Sequence, residues 1–210
     1  MIRILIADDH PIVRRGLRQI LSDRFEGVHL GEAENSQQAL ELIQKEDWDM
    51  AILDVSMPGR GGLELLKELK RGHPGLPVLI LSIHPEDQYA IRSLKAGAAG
   101  YLTKGSVPEE LVKAVEKILA GGKYVSSTLA EKLAYTLAGG TKEHPHEALS
   151  DREYQVMVMI ASGKTVSEIA DELSLSVKTI STYQTRILEK MGMKNNAELM
   201  HYAMENKLVE

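Results

Sequence analysis

Over roughly the first 120 residues, short apolar runs alternate with amphipathic stretches. The runs cover residues 3–7, 28–33, 50–53, 77–81 and 99–102. Each is rich in Ile, Leu or Val, as a strand buried on both faces of a parallel sheet requires. Between them, apolar residues return at helical spacing. Ile12, Leu17, Ile20 and Leu21 form one such set, and Ala39, Leu40 and Ile43 the next. Leu63, Leu65, Leu66 and Leu69 follow, then Ala90, Ile91 and Leu94, and finally Leu111, Val115, Ile118 and Leu119. Five strand–helix units predict an α/β domain over residues 1–121. Its core is a doubly wound, five-stranded parallel sheet with right-handed crossovers and a flavodoxin-like strand order.

The alternation stops at Gly121-Gly122. One further helix is predicted within residues 123–138, followed by the turn-rich run Gly139-Gly140-Thr141-Lys142-Glu143-His144-Pro145-His146. Residues 122–148 therefore read as a linker carrying a helix. Two imidazoles alone, His144 and His146, fall short of a metal ligand set, so the linker reading is preferred. From residue 149 to 210 the pattern is helical throughout, an all-α domain of four helices. Ser150 and Glu153 have the spacing of a capping box. The helices are expected to about Ala161, over about 166–173, over about 177–191, and from Asn195-Asn196 to about Glu205. Six of the nine methionines lie here, as adaptable core filler. In the last helix Leu199, Met200, Ala203 and Met204 could serve the core or a dimer seam, and for most of them the core is the stronger reading.

Composition narrows the classes. No apolar run approaches the ~20 residues of a membrane-spanning helix, and Asp8 and Asp9 interrupt the N-terminus too early for a secretory signal. The absence of cysteine excludes disulfides, thiol catalysis and Cys-based zinc sites, and it suits a reducing cytoplasm. A net charge of −5 argues, at face value, against a nucleic-acid binder.

The candidate chemistry gathers at the carboxyl ends of the expected strands: Asp8 and Asp9, Asp54, Ser82 and Lys104. In an open parallel sheet those ends meet along one edge, where ligands bind. Three carboxylates at close range need a cation to stay ionised together, and oxygen-only ligation suits Mg²⁺. An ammonium and a hydroxyl opposite them complete a phosphoryl site. No Gly-rich nucleotide loop follows the first strand.

The segments Ile-Leu-Ile-Ala-Asp8-Asp9-His10, Ile-Leu-Asp54-Val-Ser-Met57-Pro58-Gly59, Leu81-Ser82 and Gly100-Tyr101-Leu102-Thr103-Lys104 resemble the receiver domain of two-component response regulators. The resemblance implies that Asp54 accepts a phosphoryl group from a histidine kinase. It implies Mg²⁺ held by Asp9, Asp54 and the Ser56 main-chain carbonyl, with Asp8 assisting. It further makes Ser82 the switch hydroxyl, Tyr101 the aromatic that moves inward, and Lys104 the partner of the phosphoryl oxygens. The domain would catalyse its own phosphoryl transfer and dephosphorylation and nothing else.

Residues 165–180 spell a helix, a tight turn and a second helix, with Ile169, Ala170 and Leu173 inward and Ser176 as a cap. They resemble the helix-turn-helix of the LuxR/NarL class of DNA-binding domains, and the whole chain resembles a NarL/FixJ-type response regulator. By position, Ser181, Thr182 and Thr185 would approach base edges. Lys178, Thr179, Tyr183 and Arg186 would contact phosphate or either feature. A homodimer when phosphorylated, DNA as target and RNA polymerase as a further partner are implied. The charge divides as 18 basic and 21 acidic residues over 1–148, and 7 and 9 over 149–210. Within 176–194, however, Lys178, Arg186, Lys190 and Lys194 face only Glu189, so a local excess of three positive charges survives in an acidic domain. Two other readings stay open: a signalling adaptor that ignores DNA, and a phosphate-handling enzyme turning over a small substrate.

Overall fold

The computed structural model describes residues 1–58, 61–84, 86–137 and 144–209; Gly59 of the third-strand motif and residues 138–143 of the expected linker lie outside them. The chain divides into two compact units, Met1–Ala134 and Tyr135–Glu210.

In the first unit, strands β1 (Arg3–Ala7), β2 (His29–Ala33), β3 (Met50–Asp54), β4 (Val78–Ser82) and β5 (Gly100–Thr103) alternate with helices. These are α1 (Pro11–Arg24), α2 (Ser36–Lys45), α3 (Gly62–Gly72), α4 (Glu86–Lys95) and α5 (Pro108–Leu119). All neighbours are parallel and the order is β2-β1-β3-β4-β5, the flavodoxin-like order expected from the pattern. The three inner strands are almost wholly buried, which is why they read as continuous apolar runs. Ile4, Ile6, Ile52, Leu79, Leu81 and Leu102 meet Leu17, Leu21, Leu111, Val115 and Ile118 of α1 and α5. Chain order reverses between β1 and β3, so their carboxyl ends flank a crevice. Asp54 pairs in register with Leu81, one residue short of Ser82.

Two details depart from the periodicity. Ile12 is 81% exposed, whereas Arg14, two residues on, is buried. The Arg14 guanidinium donates to the Asp8 carbonyl at 2.7 Å and to Glu34 at 2.6 Å, so polar partners from other segments draw it inward. Helix α6 (Ser127–Leu137) follows α5 and is capped by Ser126, whose Oγ accepts from Leu129 N–H at 3.0 Å and donates to Glu86 at 2.6 Å. Before α6 the chain passes β5, where Tyr124 N–H donates to the Ala99 carbonyl at 2.8 Å.

The second unit holds α7 (Asp151–Ala161), α8 (Val166–Glu172), α9 (Val177–Met191) and α10 (Asn196–Glu205). Helix α7 is buried from Arg152 to Ala161 and packs on the other three. The Ser150–Glu153 capping box forms, and Thr165 with Glu168 makes a second one. The turn between α8 and α9 closes through Leu175 N–H to the Ala170 carbonyl, with Ser174 at φ +53. Leu199 and Ala203 of α10 are fully buried, while Met200 and Met204 are 36% and 59% exposed, so the expected core stripe holds for only half of that set. Pro145–Ala148 forms a single 3₁₀ turn, and His146 Nδ1 lies 2.7 Å from the Tyr202 hydroxyl. The imidazole thus docks on α10.

Candidate phosphoryl-acceptor site and nucleic-acid interface

The receiver-like constellation assembles at the carboxyl ends of β1, β3, β4 and β5. Asp8 and Asp54 are each 1% exposed, and the Lys104 ammonium bridges them, 2.7 Å from Asp8 Oδ2 and 2.9 Å from Asp54 Oδ2. The other oxygens point at backbone donors: Asp54 Oδ1 accepts from Ser56 N–H at 3.1 Å, and Asp8 Oδ1 from His10 N–H at 2.9 Å. Lys104 is itself fixed by its N–H to the Ser82 carbonyl at 2.7 Å.

Burial pushes the Asp54 carboxyl above the ordinary range, and Asp8 adds to this; the attraction of Lys104 only partly offsets it. Burial pulls the Lys104 ammonium the other way from its carboxylates, and Asp54 and Asp8 together win, so it titrates above its usual value. One cation facing two buried carboxylates leaves negative charge in excess. Ligand atoms of Asp8, Asp9, His10 and Asp54 all lie within 4.8 Å of one another. Asp9 Oδ1 is buried without a well-angled hydrogen bond, although His10 Nδ1 stands 2.9 Å away. The donor set is rich in carboxylate oxygen and short of positive charge, which fits a hard divalent cation such as Mg²⁺.

Ser82 is fully buried; its Oγ accepts from His84 N–H at 3.0 Å. Tyr101 is also fully buried and donates its hydroxyl proton to the His84 carbonyl at 2.8 Å, so the ring already stands in the inward position. His84 thereby touches both Ser82 and Tyr101, and its Nε2 lies 3.2 Å from Ser56 Oγ. Nothing in sequence spacing marks His84, because its partners come from β3 and β5. Arg14 was equally hidden as a neighbour of the acidic cluster, whereas His10 adjoins Asp9 in the chain and was singled out only as part of the motif.

In the second unit, Lys178, Ser181, Thr182, Thr185 and Arg186 are exposed on α9, with Thr179 and Tyr183 half-buried beside them. Ser176, Lys178, Thr179, Thr182, Tyr183 and Arg186 line a groove of about 270 Å³. The opposite face, Ile180, Ile187 and Met191, is buried. Helix α9 is held from behind by Lys190, which donates to Glu153 at 2.6 Å while Glu153 also accepts from Ser150 N–H at 2.8 Å. Burial raises the Glu153 carboxyl, but the Lys190 and Ser150 hydrogen bonds outweigh it and hold the group below its usual value. A depressed carboxyl stabilises the fold above its unfolded value and loses that effect as pH falls through the folded one. Glu153→Gln should therefore cost about 1–2 kcal/mol near neutral pH. It should also flatten the loss of stability between about pH 5 and pH 3; urea titrations across that range check it, and an unaltered pH profile would count against the pairing.

A doubly wound receiver with this acidic pocket, followed by a four-helix unit with an exposed helix-turn-helix, defines a signal-responsive regulatory protein. The response regulator receiver domain matches residues 4–116, and the bacterial regulatory proteins of the luxR family match residues 147–203. The response regulator UvrY of Escherichia coli (strain K12) is 37% identical over 210 residues, spanning 99% of this chain and 96% of that protein. The response regulator GacA of Pseudomonas aeruginosa is 38% identical over 212 residues, spanning 100% and 99%. Among solved structures, RcsB from Salmonella enterica serovar Typhimurium bound to promoter rprA with the phosphomimetic BeF3⁻ is 31% identical. It has a TM-score of 0.64 over 96% of this chain and 98% of that one. A Salmonella typhimurium RcsB structure reaches 0.70 at 33% identity, over 98% of each. The chain belongs to the response regulator family, with a receiver domain and a LuxR-type regulatory domain.

Proposed function

We propose that this response regulator is phosphorylated on Asp54 by a histidine kinase, then forms a homodimer and binds DNA to control transcription. The observation that carries it is the pairing of Asp54 with Lys104 beside Asp8 and Asp9, on the same chain as an exposed recognition helix. An Asp54 oxygen forms the new P–O bond as the P–N bond to the donor imidazole breaks, and the bonding pair returns to that nitrogen. Lys104 offers its charge to the phosphoryl oxygens, and positioning does most of the rest. Asp8, Asp9, Asp54 and the Ser56 carbonyl would hold Mg²⁺, which when bound neutralises the approach of two anions.

Ser82 has an acceptor role toward His84 N–H, and its own proton has no assigned acceptor among the described residues. A phosphoryl oxygen on Asp54 would accept a hydrogen bond from that hydroxyl. The turn of the hydroxyl would then disturb His84, whose carbonyl holds Tyr101. This is a two-state element of the kind a switch needs. The receiver catalyses no reaction beyond its own phosphoryl transfer and loss.

On α9, Ser181, Thr182 and Thr185 approach base edges, while Lys178, Arg186, Thr179 and Tyr183 approach the backbone. RcsB from Salmonella enterica has been solved bound to the promoters rprA and P1flhDC, which supports the same use here. Exposed Met200 and Met204 supply apolar surface for a dimer seam, and one helix-turn-helix usually needs a second for adequate contact. RNA polymerase is a further partner, and the cytoplasm, where histidine kinases signal and cysteine is dispensable, is the compartment.

Selection of genomic fragments with and without beryllofluoride tests the reading: a defined set of sequences should be enriched, more strongly with the mimic. Replacing both Lys178 and Arg186 by alanine should weaken binding to all sequences alike and make the salt dependence shallower by about two units of slope. Unchanged affinity in that variant would remove α9 from the interface.

A further inference from the structure

The three α9 side chains that the proposed function sets against base edges share a chemical bias. Each hydroxyl donates to the carbonyl one turn back: Ser181 to Val177 at 3.0 Å, Thr182 to Lys178 at 2.9 Å, and Thr185 to Ser181 at 3.1 Å. With the protons engaged along the helix, the oxygens face outward as acceptors, and the threonine methyl groups form the apolar part of the surface. Val177, the first residue of α9, lies one turn before Ser181 and is 51% exposed. Half of its surface is thus open for contact. The strong donors, Lys178 and Arg186, line the groove with Ser176, Thr179, Tyr183 and Thr182, so Thr182 stands where the methyl-bearing face meets the cationic one.

Base pairs discriminate sharply against such a face. Guanine offers two acceptors, N7 and O6, in the major groove and calls for donors, typically an arginine or lysine. Thymine offers its 5-methyl group, and adenine a donor at N6. Acceptor oxygens suit adenine N6 and cytosine N4 alike and leave the two guanine acceptors unsatisfied, so it is the methyl groups that tip this face toward A·T pairs. We infer that α9 reads its half-site through thymine methyl groups, with Val177 as a specificity-determining residue beside Thr182 and Thr185. The inference rests on α9 being the DNA-reading helix.

The full chain, with beryllofluoride and Mg²⁺, is used to select its site from random duplexes. Each thymine of the selected half-site is then replaced by deoxyuridine, which lacks only the 5-methyl group. At one or more positions affinity should fall about fourfold, the worth of one buried methyl-sized group. Val177→Ala should abolish that penalty at one such position, with the affinity for random DNA and the melting temperature unchanged. Full affinity for every deoxyuridine duplex overturns the inference while DNA binding stands. So does a half-site insensitive to deoxyuridine that fails when 7-deazaguanine replaces guanine. If no sequence is selected at all, the DNA reading falls and this inference falls with it.

Discussion

Asp54→Asn should accept no phosphoryl label above background, whether the donor is acetyl phosphate or a phosphorylated histidine kinase. The amide is a far weaker nucleophile and forms no acyl phosphate. The neighbouring carboxylates are poor substitutes: Asp8 has one oxygen on the His10 amide and the other against Lys104, and Asp9 belongs to the more open side of the cluster. The loss is expected without unfolding. Burial raises the folded-state value of the Asp54 carboxyl, so folding favours its protonated form and the ionised group costs stability at neutral pH. A neutral amide removes that cost, and Lys104 keeps Asp8 as a partner. The variant should melt no lower than the parent in the absence of divalent cation, and Mg²⁺ should raise the melting temperature of the parent more. Full labelling of the variant would sink the assignment of Asp54.

Gly62→Ala should be among the most damaging single-methyl changes in the receiver. A β-carbon at this position would stand 1.9 Å from the Asp54 carbonyl oxygen and 2.8 Å from its carbonyl carbon, and backbone atoms cannot swing aside as a flexible side chain can. The close approach has a purpose, since Gly62 N–H donates to the Val55 carbonyl at 3.0 Å and seats the start of α3 against the end of β3. Forced apart, the segment carrying Asp54 and Ser56 must shift. We expect a cost near the upper end of overpacking, about 3 kcal/mol, read as a fall of ~10 °C in melting temperature, together with slower phosphorylation. Gly16→Ala is the matched control. Gly16 lies within α1 with nothing close to its missing side chain, so alanine should stabilise by about 0.5–1 kcal/mol. Equal effects at the two glycines would refute the steric account.

The strand order and the meeting of Asp8, Asp9, Asp54, Ser82 and Lys104 were legible because both follow from alternation along the chain. Apolar runs mark buried parallel strands, and chemistry at their carboxyl ends converges by topology. Local devices were equally legible: Ser150 and Glu153 sit three residues apart and cap α7 as their spacing says. What stayed hidden depends on partners distant in sequence. Lys190 reaches Glu153 across 37 positions, and His84 touches Ser56 and Tyr101 from just beyond β4, the strand between theirs. Periodicity also could not tell one apolar stripe from another. Ile12 and Met204 share the pattern of their buried neighbours, yet face outward. Net charge misled for a related reason, since a sum over the chain has no direction and the basic residues of α9 lie on one segment.

The contact of Tyr124 with β5 has a consequence for solubility. A sheet ordered β2-β1-β3-β4-β5 ends on two open strands, and an open strand invites a neighbouring chain to add to it. The β2 side is only half-buried and carries charged Glu32, held by Arg14 and Arg18. The β5 side is more apolar and more dangerous, and there the stretch leaving α5 lies alongside it, pressed so close that Gly100 has no room for a β-carbon beside the Tyr124 carbonyl. The stretch after α5 thus acts as a selvedge, finishing the sheet so that it does not fray into its neighbours.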